Sequence, residues 1–205
     1  MSNGKTSSIQ VCVLVIALSI VLGSLTTSLR RVSAQAQRES STTNSSKLMA
    51  DGKQWMTRNV DLNIVSSYCY AGNELNCRQY GRLYTWESAW RACQSLGKGW
   101  QLPTKEDWRQ MAKHYGGVRD DSNDGGKAAY KALVIGGNSG FNAVFGGGRS
   151  ADGQYARLNA HGFYWTASES GPGSAWLYNF GQAHILDRHN DGEKRRAFSV
   201  RCVRQ

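Results

Sequence analysis

The sequence predicts an α+β fold in which two to three helices are followed by short antiparallel strands, with two disulfides. Helical apolar spacing is confined to the chain before Gly137, and alternating apolar residues between glycine-rich turns follow it. Four cysteines remain after an N-terminal apolar segment. The 205 residues include 23 glycines, seven tryptophans and nine tyrosines, which argues against a disordered chain and against a helical bundle.

Two helices are predicted from apolar stripes and capping residues. In the first, Ala89, Trp90 and Cys93 fall at helical spacing, and a glycine ends the stripe. The second follows an N-cap at Thr104, with Asp107 at the capping-box position. The first helix therefore delivers Cys93 to the core.

The glycine-rich remainder of the chain predicts strands rather than helices. A third, short helix is expected over 127–134, and a first strand near Trp55–Ile64. The other predicted strands cover 163–168, 175–180, 183–187 and 197–203. In the last of these, Cys202 alternates onto the buried face, where it can meet Cys93, and Arg201 alternates onto the opposite face.

An even number of cysteines in an exported chain indicates two disulfides. Three pairings are possible, and Cys69–Cys77 with Cys93–Cys202 is the simplest of them. A zinc site is the alternative interpretation, but the sequence has no CxxC pair and lacks zinc-ribbon spacing.

The N-terminal segment predicts export. Residues 9–25 are apolar and uncharged, and a small-residue pattern ending at Ala34 suits signal peptidase. We interpret 1–34 as a signal peptide, with an uncleaved membrane anchor as the open alternative, and 35–48 as a polar linker before a domain over 49–205. The domain is then secreted, periplasmic or on the cell surface, and only this segment would contact the membrane.

The chain carries a formal charge of +10. Basic residues concentrate between Arg188 and Arg204, so an acidic glycan or an anionic lipid surface is conceivable as a partner. Nucleic acid is not the expected partner, because a solvated terminal strand and loop explain the same residues.

Six phrases of the domain occur in an order that resembles a known family. They span 51–56, 80–86, 99–104, 140–143, 164–169 and 198–203. Together they resemble the Fibrobacter succinogenes major paralogous domain over residues 49–205. The resemblance implies a bacterial exported protein of C-type-lectin-like fold, related to the formylglycine-generating enzymes. Such a fold has two helices packed on twisted antiparallel strands and has its termini close together.

The strand over 175–180 predicts a binding face by alternation. Trp176, Tyr178 and Phe180 share one face and are assigned to the core. The opposite face and the neighbouring turn and strand are expected to point outward and to bind a ligand. The candidate ligand-binding residues are Leu177, Asn179, His184, Leu186, Arg188, His189 and Asn190.

The predicted function is ligand binding without catalysis, with an extracellular protein or glycan as partner. No cofactor is required, although the acidic loops at 120–125 and 187–193 offer oxygen ligands of the type that calcium prefers. A structural or adhesive envelope component is one alternative. From the resemblance alone, a hypervariable receptor of a diversity-generating retroelement is another. An oxidase of the formylglycine-generating type is the least expected, because Cys202 is the only cysteine near the C-terminus.

Overall fold

The structure is a computed structural model that describes residues 45–181 and 183–205. The predicted signal or anchor segment, 1–34, and residues 35–44 of the predicted linker lie outside the described residues. Among the residues that are described, no helix has both the length and the apolar character needed to cross a bilayer.

Four α-helices are present in the described chain. They are α1 (Glu74–Tyr80), α2 (Trp86–Ser95), α3 (Lys105–Lys113) and α4 (Lys127–Leu133). The last three are the predicted helices. In α3 the capping box forms in full, since the Thr104 side chain accepts from the Asp107 backbone N–H and the Asp107 carboxylate accepts from the Thr104 backbone N–H. Helix α1 was not predicted, because it begins within the short loop between Cys69 and Cys77 and ends only three residues after Cys77.

Within the described residues, ten short strands form four small antiparallel sheets. The strands are β1 (Ser46–Leu48), β2 (Gln54–Met56), β3 (Ser67–Tyr68), β4 (Leu83–Tyr84), β5 (Gly148–Arg149), β6 (Tyr155–Ala156), β7 (Gly162–Gly171), β8 (Ser174–Phe180), β9 (Leu186–Glu193) and β10 (Val203–Arg204). Their orders are β1-β2-β10, β3-β4, β5-β6 and β7-β8-β9. The first and last strands thus both pair with β2.

Strand β1 lies inside the stretch that the sequence predicted to be linker. Ser46 pairs with Met56 and Leu48 with Gln54. The strand is polar and exposed at Lys47 and Leu48, so backbone pairing rather than apolar burial holds it, and no periodic pattern marks it in the sequence. The sheet therefore includes residues before Met49.

The strand predictions are partly confirmed. Strands β7 and β8 form as expected, whereas β9 begins later than predicted because a turn occupies the preceding residues and His184 has a φ of 55°. Residues 197–203 form isolated bridges, such as Phe198 to Tyr84, before the two-residue β10. Of the first predicted strand, only 54–56 is extended into a sheet.

Both predicted disulfides are present. Cys69 is joined to Cys77, and Cys93 on α2 is joined to Cys202, 109 residues further along the chain. All four sulfurs belong to buried residues. The long bridge fixes α2 to the chain that leads into β10.

Two apolar clusters form the core, and the sheet β7-β8-β9 separates them. Tyr164 and Tyr178, a facing pair, belong to the cluster around α3 and α4. Trp165 and Leu177, the next facing pair, belong to the cluster around α2. The sheet is therefore covered on both faces over this part of its length.

Two core assignments made from alternation are wrong in detail. Trp176, expected in the core, is only partly buried, and the Lys105 ammonium lies 4.5 Å from the centre of its ring. Arg201, expected on the outward face, is fully buried. Its guanidinium reaches the backbone carbonyls of Met56, Phe141 and Asn142, which lie far away in sequence.

Candidate functional site

The seven predicted ligand-binding residues do not form one surface. Leu177 is 4% exposed and Leu186 is completely buried, so the expectation that they point outward is wrong. The physical reason is that both faces of β8 and β9 are covered here: Leu177 packs in the cluster around α2 and Leu186 in the cluster around α3 and α4. Alternation identifies two faces of a strand but not whether the second face is also covered.

Three of the seven residues lie away from the others. Arg188 faces Tyr178 across the sheet, and its guanidinium approaches the carboxylates of Asp120 and Asp121 at 3.8 and 3.5 Å. His184 is exposed in the turn before β9, and Asn190 is exposed on β9 itself. None of these three side chains contributes to the pocket described next.

The other predicted residues that face solvent, Asn179 and His189, come together with buried Leu177 in one pocket of about 390 Å³. The pocket lies between the β5-β6 hairpin and the sheet β7-β8-β9. Its floor is apolar and consists of Phe163, Leu177 and Phe198. Polar side chains line the remainder: Arg149, Ser150, Gln154, Arg157, His161, Asn179, His189, Asp191 and Arg196.

Glycine allows the hairpin to approach the floor of the pocket. A Cβ atom at Gly148 would lie 2.8 Å from the Phe198 ring, closer than packed carbon atoms come. Gly148 pairs with Ala156 across the hairpin, and Arg149 exchanges backbone hydrogen bonds of 2.9 and 2.8 Å with Ala197. The hairpin is therefore bonded to the C-terminal segment, and together they form one wall.

A chain of hydrogen bonds orders one side of the pocket. One ring nitrogen of His161, Nδ1, lies 3.1 Å from Asn179 Oδ1, and the other, Nε2, lies 3.2 Å from Arg157 Nη1. Arginine only donates, so Nε2 accepts and Nδ1 carries the proton that it donates to Asn179. The His161 ring also stacks on Phe163 with centroids 5.3 Å apart. These contacts fix the position of the Arg157 guanidinium.

Two further polar groups are placed differently. The Arg149 guanidinium lies 4.1 Å from the centre of the Tyr68 ring and 5.9 Å from that of Tyr155, so aromatic faces hold it. His189 Nε2 is buried and has no hydrogen-bond partner within the described chain. A buried polar atom without a partner is uncommon in folded proteins, and this one belongs to a residue that lines the pocket.

The C-terminal basic residues do not form a continuous patch. Lys194 pairs with Glu169 at 2.9 Å, and Arg195 pairs with Glu193 at 2.5 Å. Arg204 donates to Gln54 Oε1, and Arg201 is buried. Arg196 differs from these residues because it lines the pocket. The concentration of charge in the sequence is therefore divided between separate environments.

The oxygen atoms of the first acidic loop already have partners within the protein. Asp124 accepts from the backbone N–H groups of Gly126 and Ala128 at the start of α4, and the Ser122 hydroxyl accepts from Gly126 as well. Asp121 accepts from Arg109 Nε at 2.6 Å, and this bond lowers the pKa of its carboxyl group. The loop is thus a helix-capping turn with ion pairs.

Asp187 and Glu193 of the second acidic loop, and the four cysteines, already have partners in the protein. Asp187 accepts from Arg119 at 3.1 Å and from the Arg188 backbone N–H. Over residues 45–181 and 183–205, the one cluster of three metal-ligand types is Cys69, Glu74 and Cys77. Its two sulfurs are joined in a disulfide, which removes the thiolates that a metal would need.

Sequence reasoning missed most of the rim of the pocket. Arg149 and Arg157 were not singled out, Arg196 was considered only as one of the C-terminal basic residues, and His161 was not among the candidate ligand-binding residues. The available signal was the run Gly146–Gly147–Gly148 directly before Arg149, since consecutive glycines indicate close approach of the backbone to another surface.

Comparison with known proteins identifies a family but no characterised relative. A search of curated proteins found no match. The family model described as the Fibrobacter succinogenes major domain matches residues 39–204, which includes every residue of the pocket and both disulfides. The chain therefore belongs to the Fibrobacter succinogenes major domain family.

Proposed function

We propose that this protein is an exported, non-catalytic binding module whose ligand occupies the pocket between the β5-β6 hairpin and the sheet β7-β8-β9. The observation that carries the proposal is the pocket itself, which combines an apolar floor with polar groups held in fixed positions. At about 390 Å³ its volume lies within the range of small-molecule sites. The proposed site keeps Leu177, Asn179 and His189 and omits His184, Leu186, Arg188 and Asn190.

A C-type-lectin-like arrangement is part of the proposal. Its support is the Cys93–Cys202 bridge between a helix and the C-terminal chain, and the sheet order that places β1 and β10 on either side of β2. Neighbouring terminal strands are a feature that the family resemblance led us to expect, and the long disulfide is the pairing predicted from the cysteines themselves.

Export is supported by the chemistry of the cysteines. Disulfides form and persist in oxidising compartments, and the two present here agree with a secreted, periplasmic or surface location. Because the thiols of all four cysteines in the described chain are paired, binding is favoured over copper-dependent oxidase chemistry, which requires free thiols.

Filling the pocket tests the proposal. Ala156 lines the pocket and is exposed, so Ala156→Trp should place an indole in the entrance without disturbing the core. Ala50→Trp is the matched control, because Ala50 is also exposed and lies outside the pocket. The full chain, purified as the producing cells process it, would be screened against glycans and envelope proteins with and without calcium.

The expected result is a ligand whose binding is lost in Ala156→Trp and retained in Ala50→Trp. Binding that survives Ala156→Trp unchanged for every ligand found would exclude the pocket as the site. Self-association or wall attachment that neither substitution affects would instead indicate a structural or adhesive component of the envelope.

A further inference from the structure

We infer that the ligand of this pocket is an acidic sugar, a hexuronic acid either free or within a polymer, whose carboxylate is bound by the rim arginines and whose ring lies on the phenylalanine floor. The inference rests on the proposed function and names the chemical class of the ligand. It depends on the charge balance of the rim, on the lack of ion pairs between the rim arginines and acidic side chains of the described chain, and on the shape of the floor.

The rim of the pocket is strongly positive for its size. Three arginines, Arg149, Arg157 and Arg196, line it together with a single carboxylate, that of Asp191. The formal charge of the lining is therefore three minus one, or +2, with both histidines neutral. A pocket enclosed by protein walls concentrates such a field, so an anionic ligand is favoured over a neutral one.

In the part of the chain that the structure describes, the rim arginines have no carboxylate partner. Within residues 45–181 and 183–205, none of the three lies within 4.0 Å of an acidic side chain, whereas Arg188, Arg195 and other surface arginines do. Asp191 is likewise free of any such pair. Guanidinium groups bind carboxylates through paired N–H donors, and these donors are available for a ligand.

Two of the three guanidinium groups are already held in place. Arg157 donates to His161 Nε2 through one of its five N–H groups, and Arg149 lies against the Tyr68 ring. Because their side chains are ordered before binding, less rotamer entropy is lost when a ligand arrives. His189 also lines the pocket, and its buried Nε2 has no hydrogen-bond partner in the described chain.

The floor indicates a ligand with a flat apolar face rather than a simple inorganic anion. The rings of Phe163 and Phe198 have centroids 5.1 Å apart, tilted by 38°, and Leu177 lies beside them in the pocket. A pyranose ring presents C–H groups on one face, which pack on aromatic rings, while its carboxylate projects from the edge. The volume suits a ligand of about one or two such rings.

The test compares acidic and neutral sugars that are otherwise identical. Methyl glucuronoside and methyl galacturonoside would be titrated into the full chain by calorimetry, beside methyl glucoside, methyl galactoside, inorganic phosphate and an oligogalacturonate. We expect one of the uronides to bind at least about tenfold more tightly than its neutral counterpart. Raising the NaCl concentration from about 50 mM to about 500 mM should lower the affinity for the uronide and leave the affinity for the neutral sugar unchanged.

Two neighbouring arginines supply matched variants. Arg196→Gln removes a rim charge at an exposed position and should lower the affinity for the uronide about tenfold. Arg195→Gln removes the same charge from a side chain that is 81% exposed and paired with Glu193 outside the pocket, and should leave affinity unchanged. Both variants should retain the wild-type melting temperature. Tighter binding of the oligogalacturonate than of either monomer would assign the source to a polymer.

Each other outcome overturns the inference in a distinguishable way. Equal affinity for acidic and neutral sugars, unaffected by Arg196→Gln, refutes the anionic ligand while leaving the pocket as the site. Phosphate binding as tightly as the uronides refutes the role of the floor. If no sugar binds, but a screened protein binds the wild type and not Ala156→Trp, the acidic-sugar ligand is refuted and the proposed function is not. A ligand that binds Ala156→Trp normally refutes both.

Discussion

The two disulfides close loops of very different length, so their removal is expected to cost different amounts of stability. Cys93–Cys202 spans 109 residues and Cys69–Cys77 spans eight. The entropy that a cross-link removes from the unfolded chain corresponds to about 5 kcal/mol for the longer loop and about 2.5 kcal/mol for the shorter one. The pair C93A/C202A should therefore lower the free energy of unfolding by about 2 kcal/mol more than the pair C69A/C77A.

Most other contributions to the free energy of unfolding cancel when the two double variants are compared. Both pairs are buried, with exposures between 0 and 4%, and each double substitution removes two sulfur atoms. The packing losses are thus matched to first order. Urea unfolding of the oxidised full chain, followed by the fluorescence of the buried tryptophans, measures both differences under identical conditions.

This reasoning would be refuted if the free energy of unfolding fell equally in the two variants, or fell more in C69A/C77A. Either would mean that the short loop with α1 contributes native-state contacts that outweigh the entropic difference. A C93A/C202A chain that is unfolded in water, while C69A/C77A still folds, would agree with the prediction.

Two further predictions concern buried charges. Arg201→Met should lower the free energy of unfolding by about 3 kcal/mol, because it leaves buried carbonyl groups without a donor while recovering part of the cost of burying a cation. Arg204→Met, at a half-exposed position, should lower it by under about 1 kcal/mol. Equal decreases for the two variants in urea unfolding would refute the distinction. Burial alone would raise the pKa of Asp107, but hydrogen bonds from Lys53 and Thr104 outweigh it and lower the pKa. A carboxyl group whose folded pKa is lowered contributes stability above its unfolded pKa of about 4 that is lost as the pH falls through the folded pKa. Asp107→Asn should therefore lower the free energy of unfolding by about 1 to 2 kcal/mol at pH 7. The difference in unfolding free energy between the variant and the wild type should become smaller on acidification below about pH 4. A difference that stays constant with pH would contradict the role of the charge.

The burial of Arg201 also explains its electrostatics. Burial lowers the pKa of the guanidinium to about 10, with the neighbouring Tyr164 opposing the change. The group therefore remains charged at neutral pH. Its stabilisation comes from three backbone carbonyls, the Asn59 side-chain oxygen at 2.6 Å and the face of the Phe141 ring, rather than from a carboxylate.

Three of the four described helices and the disulfides were predictable because their signals are local. Thr104 and Asp107 satisfy one another across a single turn, so the four residues 104–107 are sufficient to place the start of α3. The alternation that puts Cys202 on a buried face depends on only a few neighbouring residues. In both cases the determining contacts, or the pattern that reports them, lie within a short stretch of chain.

The pocket was not predictable in the same way, because its residues meet only through tertiary contacts. Leu177 was expected to be exposed and is buried by a cluster that includes α2, about 80 residues earlier. The Arg201 side chain is held by carbonyls 59 to 145 residues away. Arg149 and Arg157 lie in a stretch with no apolar period, so apart from the glycine run before Arg149 the local sequence did not mark them.

The C-terminal segment shows how binding and stability can be separated in this domain. Phe198 in the floor is buried and contacts Trp165, with ring centroids 4.7 Å apart, and Cys202 carries the long disulfide. Arg196, two residues before Phe198, is exposed and reaches only the rim. Substitutions in the rim therefore alter charge without creating cavities, whereas substitutions in the floor remove packing on which the fold depends.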